Sequence, residues 1–164
     1  MSRRVAGGLL VHRRTPAGDV ELLLAHMGGP YWAGRDAGAW SVPKGEPEDG
    51  EDLLSAARRE FTEELGLPPP DGEPVLLGEV RQRSGKVVTV WAVAGDLDPA
   101  HVVPGTFELE WPPRSGHRVR VPEVDRVAWF SPDDARRLLV SGQAVLVDRL
   151  LELLGTGPAG PAGT

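Results

Sequence analysis

The 164-residue chain contains no cysteine, which removes disulfides, thiolate nucleophiles and thiolate zinc sites at once. Any metal it binds must sit on oxygen or imidazole. Aromatics are few, with one tyrosine, three phenylalanines and five tryptophans. Lysine is scarcer still among the 18 basic residues: only Lys44 and Lys86 are not arginine. No apolar run approaches the roughly 20 residues of a membrane-spanning helix. The start, Met1 to Gly8, has two arginines but too short an apolar run for a signal peptide. The expectation is a cytoplasmic protein with no membrane partner. A formal charge of −6 and the lack of a basic tail leave no electrostatic footprint for nucleic acid. Small anionic ligands stay open, provided cations bridge them. No internal repeat is visible.

What is present is ordinary globular composition, 40% hydrophobic and 26% charged, with 21 Gly and 16 Pro below the share that argues for disorder. The length suits one domain. We place it at residues 1–154, with the small, polar GTGPAGPAGT of 155–164 as a disordered tail. Val5 to His12 and Val20 to His26 read as two strands without polar alternation, hence covered on both faces. Gly28 to Gly38 is a loop carrying Tyr31 and Trp32, which either stack on a base or pin the loop to the body. Apolar Leu53, Leu54, Ala57, Phe61 and Leu65 recur at helical spacing, predicting a helix from about Glu51 to Leu65 with acidic residues crowding its first turn. Gly66 supplies the left-handed cap and Pro68 to Pro70 stop the helix.

Pro74 to Arg83 and Lys86 to Ala94 are two more strands joined by Ser84-Gly85, and Asp96 to Arg120 lacks a sustained period. An irregular stretch of that length is functional or mobile in a compact domain. A strand at Val124 to Phe130, a helix Pro132 to Leu139 capped by Ser131, and a helix from about Gln143 to Leu154 complete the chain. The order of elements points to the α/β class, a sandwich with a mixed sheet between helices.

The chemistry concentrates in GEPEDGEDLLSAARREFTEELGL, residues 45–67. On a helix Glu60, Glu63 and Glu64 project together, and three carboxylates that close repel one another unless cations neutralise them. Arg59, four residues before Glu63, can pair with it and steady the array. Glu51 and the Gly45 carbonyl can add oxygen ligands. Hard oxygen donors without thiolate or clustered histidine select Mg2+ or Mn2+. The four histidines, His12, His26, His101 and His117, show no metal-ligand spacing and receive no catalytic role.

Gly45, five residues, Glu51, seven residues, then Arg59-Glu60-Phe61-Thr62-Glu63-Glu64-Leu65-Gly66-Leu67 resembles the signature of the Nudix hydrolase family at every constrained position. The resemblance implies an α/β/α sandwich and hydrolysis of a diphosphate linkage in a nucleoside diphosphate linked to a further group. A nucleoside triphosphate or a dinucleoside polyphosphate is the first expectation. It also implies metal ligation by Glu60, Glu63 and Glu64, a supporting role for Glu51, orientation of the glutamates by Arg59, and a carbonyl ligand from Gly45. The family adds a base or ligand from outside this box, for which Glu123 and Glu110 are candidates. Similar members place a carboxylate just before the Val124 to Phe130 strand, which favours Glu123.

Trp40-x-x-Pro43-Lys44-Gly45 resembles the approach to the box in dinucleoside polyphosphate and diphosphoinositol polyphosphate hydrolases. Lys44 there either touches phosphate or is simply solvated. Glu46 stands where many members have a second glycine. Gln82, Arg83, Ser84 and Gly85 occupy the region where some branches carry a substrate marker, so the markers for ADP-ribose and for one type of diadenosine polyphosphate hydrolase are absent. Arg83, with Arg81, Lys86, Arg114, His117, Arg118 and Arg120, either meets distal phosphates or is scattered surface charge. The rival reading is a nucleotide-binding regulatory module on the same fold without turnover. Monomer and homodimer are both open.

Overall fold

Side chains along the first strand alternate between two apolar surroundings rather than between core and solvent: Ala6 and Leu10 enter one cluster, Leu9 and Val11 another. A strand sealed on both faces belongs in the middle of a sheet that carries helices on each side. The computed structural model describes residues 4–155 and has that arrangement. Among the described residues there are nine strands and three α-helices. In chain order they are β1 (Val5–Arg14), β2 (Val20–Met27), β3 (Trp40–Ser41), β4 (Lys44–Gly45), α1 (Leu53–Leu65), β5 (Val75–Arg81), β6 (Val87–Ala94), β7 (Thr106–Glu110), β8 (Arg118–Pro122), β9 (Val124–Phe130), α2 (Pro132–Leu138) and α3 (Val145–Leu154).

β1 runs parallel to β6, and the other pairings of the main sheet are antiparallel, so the sheet is mixed. α1 covers one face, setting Ala57, Phe61 and Leu65 against Leu9, Val11, Leu23 and Val93. Phe61 and Leu65 are fully buried and each contributes roughly 2 to 3 kcal/mol. α2 and α3 cover the other face, with Ala135, Leu138, Leu146 and Leu150 against Leu10, Leu22, Leu24 and Val90. The result is an α/β/α sandwich.

The site is positioned by a fork in this sheet. β1 and β2 pair only from His12 to Arg14 on the β1 side and then separate. β3 takes the freed edge of β2 at Ala25 and His26, and β4 takes the freed edge of β1 at Gly7 and Gly8. Residues 40–45 therefore thread the fork, with Val42 buried between the two short strands. Strands of two residues have no period for a sequence to display, and neither was expected.

Three other expectations change. α1 starts at Leu53, capped by Asp52, whose Oδ1 accepts from the Ser55 N–H at 2.7 Å. The acidic residues placed in the first turn lie before it, and the carboxylate that meets the helix dipole is the cap itself. The stretch from Asp96 to Arg120 is not irregular throughout. It contains a 3-10 turn at Pro99–His101, and β7 and β8 form a hairpin paired from Thr106 and Pro122 to Glu110 and Arg118. Five-residue alternation of Phe107 and Leu109, then of Val119 and Val121, is too short to stand out among the prolines and glycines around it. α3 begins at Val145, leaving Gln143 in the loop before it, fully buried. The expected disordered tail lies, beyond Gly155, outside the described residues.

Candidate active site

Glu60 and Glu64 are four residues apart on α1 and leave the helix on one side. That side meets Glu123, the single residue between β8 and β9. Its backbone ties the hairpin to the main sheet: the Glu123 N–H donates to the Gly105 carbonyl at 3.0 Å, and its own carbonyl accepts from the Gly28 N–H at 3.1 Å. Carboxylate oxygens of Glu60, Glu64 and Glu123 lie within 4.8 Å of one another.

Burial pushes the Glu64 carboxyl up to about 8, with Lys44 opposing the shift and Glu123 and Glu60 adding to it. Burial likewise pushes the Lys44 ammonium down, against the attraction of Glu64. The Glu123 carboxyl is raised by burial, then by Glu60 and Glu63. Three carboxylates crowded in low dielectric, with a single lysine beside them, lack positive charge. The donor set is all oxygen, which fits a hard divalent cation.

Arg59 organises the neighbouring glutamates. Its Nε and Nη2 donate to the two Glu51 oxygens, both at 2.9 Å, a bidentate pair. Nη1 donates to Glu60 Oε1 at 2.9 Å and to Glu63 Oε2 at 3.1 Å, and Nη2 also reaches the Glu46 carbonyl at 3.0 Å. Glu51 thus faces Arg59 rather than the three-carboxylate cluster. Glu63, with a side chain 55% exposed, stands at the rim outside that cluster. Gly45 has a steric role as well as its carbonyl: a Cβ there would lie 2.1 Å from Glu60 Cδ. Any side chain at 45 would push Glu60 out of its place.

Two contiguous cavities open beside the cluster. One, of about 270 Å³, is lined by Glu64 and Glu123 together with Phe107 of the hairpin. The other, of about 370 Å³, is lined by Tyr31, Gln82, Arg83 and Ser141. Met27, Trp32, Ser41 and Lys44 line both, so Lys44 stands between the carboxylates and the larger space. Tyr31 and Trp32 meet edge to face, their centroids 4.8 Å apart. Their loop is anchored from behind by fully buried His26, whose Nδ1 lies 3.0 Å from the Asp125 carboxylate and whose Nε2 lies 2.7 Å from the Arg35 carbonyl.

The structure brings together Glu60, Glu64 and Glu123 in the cluster, and Lys44, Tyr31, Trp32 and Arg83 around the cavities. Glu110 is elsewhere: its carboxylate accepts from the backbone N–H groups of Arg114 and Gly116, at 3.3 and 3.0 Å, and closes the tip of the hairpin. Arg81, Arg114, His117, Arg118 and Arg120 line neither cavity. Sequence reasoning missed Ser41, Phe107, Ser141 and Gln143. Only Phe107 had a signal, the brief alternation of its strand; a lone buried amide before a helix has none.

A family model for the NUDIX domain matches residues 1–150. The chain belongs to the NUDIX family. Its class is that of the Nudix pyrophosphohydrolases. Among solved structures it is similar to a C. elegans Ap4A hydrolase binary complex, with 22% identity, TM-score 0.65, and coverage of 92% of this chain and 98% of that one. It is similar to the NUDIX domain of Shewanella oneidensis NrtR complexed with ADP ribose, at 13% identity and TM-score 0.64 over 94% of this chain and 90% of that one. A Nudix hydrolase from M. smegmatis, RenU, shares 25% identity at TM-score 0.59 over 95% and 88% of the two chains. No curated protein sequence matches this chain. Among the described residues no helix is long and apolar enough to cross a membrane.

Proposed function

We propose that this chain is a Mg2+- or Mn2+-dependent hydrolase of small nucleotides that cleaves a diphosphate linkage by water attack at phosphorus. A nucleoside triphosphate or a dinucleoside polyphosphate is the substrate, residues 1–154 act as one domain, and the setting is cytoplasmic. One observation carries the reading: the carboxylate cluster and the aromatic-walled cavity share Lys44, Ser41, Met27 and Trp32 as a common wall. A nucleotide laid across that wall puts its diphosphate at the carboxylates and its base between Tyr31, Trp32 and Arg83.

Glu60, Glu64 and Glu123 would hold the cation, with the Gly45 carbonyl and Glu63 as further ligands and Glu51 acting through Arg59. Such a cation supplies charge neutralisation for the diphosphate, polarises a phosphoryl oxygen and acidifies a bound water. Arg59 keeps Glu60 and Glu63 in place as charge builds on phosphorus. Lys44 offers an ammonium to a phosphate oxygen and balances the leaving group. The carboxylate array accepts the water's proton.

The test is a hydrolysis panel with Mg2+ and with Mn2+, run in 18O-labelled water. It covers nucleoside triphosphates, diadenosine polyphosphates, nucleotide sugars, ADP-ribose and diphosphoinositol polyphosphates. The label is expected on a phosphate product. Lack of turnover with every compound, alongside retained nucleotide binding, would establish the rival reading of a regulatory module. The likeness to the NrtR domain complexed with ADP ribose fits nucleotide binding under either reading. The complete set of box carboxylates argues against the rival.

A further inference from the structure

The larger cavity has a wall of fixed polarity. Gln143 is fully buried and joins three separate segments. Its Oε1 accepts from the Val42 backbone N–H at 3.0 Å. Its Nε2 donates to Ser41 Oγ at 3.1 Å and to Gln82 Oε1 at 3.2 Å. The Ser41 hydroxyl spends its own hydrogen on the Val42 carbonyl, at 2.8 Å, so it can only accept from Gln143. A backbone N–H cannot turn round. Val42 therefore forces oxygen to one end of the Gln143 amide, Gln143 presents hydrogens to Gln82, and Gln82 must answer with its oxygen.

The polar end of Gln82 left for the cavity it lines is then its NH2 group. Gln82 is held still by the turn between β5 and β6, its N–H donating to the Lys86 carbonyl at 2.8 Å and its carbonyl accepting from the Gly85 N–H at 2.9 Å. Gly142 lets the Gln143 loop lie against this turn: its φ is +93°, and a Cβ there would lie 2.3 Å from the Arg81 carbonyl oxygen.

We propose that Gln82 is a specificity-determining residue, a fixed donor that reads an acceptor on the nucleobase. Its polarity is dictated from Val42 through Gln143, a positioning residue that does not line the cavity. The inference rests on the reading above that the base enters the larger cavity. Bases presenting an oxo group at that edge, such as hypoxanthine and uracil, are favoured over their amino counterparts, adenine and cytosine. An amino group there meets a donor head on and leaves both unpaired.

The experiment is calorimetry of the Mg2+-loaded protein with four probes, IMP against AMP and UMP against CMP. Each pair differs at the base edge by oxo against amino. The wild type should bind IMP and UMP about tenfold more tightly than their partners. Gln82→Leu should bring both ratios close to one. Gln82→Glu keeps one oxygen on the Gln143 amide and turns an acceptor to the cavity, so the order should reverse. Gln143→Glu forces the Gln82 amide to turn over and should move the ratios the same way, from a position out of reach of the ligand. A residue of purely structural importance would weaken all four probes alike. Ratios that are unchanged in Gln82→Leu, or an amino preference in the wild type, overturn the inference. If the probes bind without preference while the panel above shows turnover, the polarity argument alone fails. If nothing binds and nothing turns over, the functional reading fails with it.

Discussion

The two cavities that meet at Lys44 are built in opposite ways. The carboxylate side takes Glu60 and Glu64 from one turn of a single helix and Glu123 from the seam between two strands. The aromatic side is assembled from segments far apart in the chain, with Gln143 bonded to residues 101, 102 and 61 positions away. The first is crowded with like charge and raised carboxyl pKa values. The second has no carboxylate in its lining, sets Lys44 and Arg83 beside the aromatics, and is closed by matched hydrogen bonds. A helix imposes its own spacing, so the charged half is rigid and locally specified. The aromatic half depends on tertiary packing and can be retuned without touching the first.

The sharpest separation comes from Glu64→Gln. Removing the most buried member of the cluster should abolish Mn2+ binding and lower kcat by on the order of 10³-fold, while nucleotide binding in the larger cavity persists. Glu63→Gln, which removes the further ligand at the exposed rim, should weaken Mn2+ binding by about tenfold, well short of the loss in Glu64→Gln. Metal titration of both variants checks this, and equal losses would show that the cluster extends beyond Glu60, Glu64 and Glu123.

Gly45→Ala tests the same half by sterics. The added Cβ would have to displace Glu60, because it falls 2.1 Å from Glu60 Cδ. A shift on the order of 1 Å in a positioned group costs about 10²-fold in rate. The expected result is that loss in kcat with KM nearly unchanged and the thermal midpoint close to wild type. A matching rise in KM would tie the two cavities together more closely than their construction suggests.

Protons report on the charged half next. The folded Glu64 carboxyl sits at about 8 against an ordinary 4.5, so in the metal-free protein it keeps a proton across that window. A cation must displace that proton, and Mn2+ affinity should therefore rise about tenfold per pH unit up to about 8 and level off above. The stability argument has the same sign. Between 4.5 and 8 the folded chain holds a proton that the unfolded chain has lost, so metal-free stability should fall as pH rises through that window. Thermal melts should show the fall in wild type, a weaker one in Glu64→Gln, and a flatter profile once Mn2+ is added.

The contrast also explains what could be read before any coordinates. Glu60, Glu64 and Arg59 were legible because their arrangement follows from helical spacing, and the helix itself was marked by Leu53, Ala57, Phe61, Leu65 and Gly66. Glu123 was legible only through its place before a strand. The fork that holds residues 40–45 was not, since it comes from two strands parting and leaves no pattern in either. Gln143 looked like the start of a helix, because nothing local distinguishes a buried amide from an exposed one. The resemblance favoured Glu123 over Glu110, and pairing in space sent Glu110 to the hairpin tip and Glu123 to the cluster.

The smallest effect is expected on the aromatic side. Trp32 lines both cavities, with Tyr31 packed edge-on against it at 4.8 Å. A base stacked on an aromatic ring gains about 1 to 3 kcal/mol, and the partial exposure of this loop puts Trp32 near the lower end of that range. Trp32→Ala should therefore raise KM about tenfold and change kcat less than twofold, since the ring binds substrate and transition state alike. The share of tryptophan quenching by AMP or IMP that is lost in Trp32→Ala should survive chelation of the metal, because the proposed function puts the base and the cation in different halves of the site. If the quenching disappears with the metal, or if Trp32→Ala lowers kcat as strongly as Gly45→Ala, the division fails and both cavities must be treated as one cooperative site.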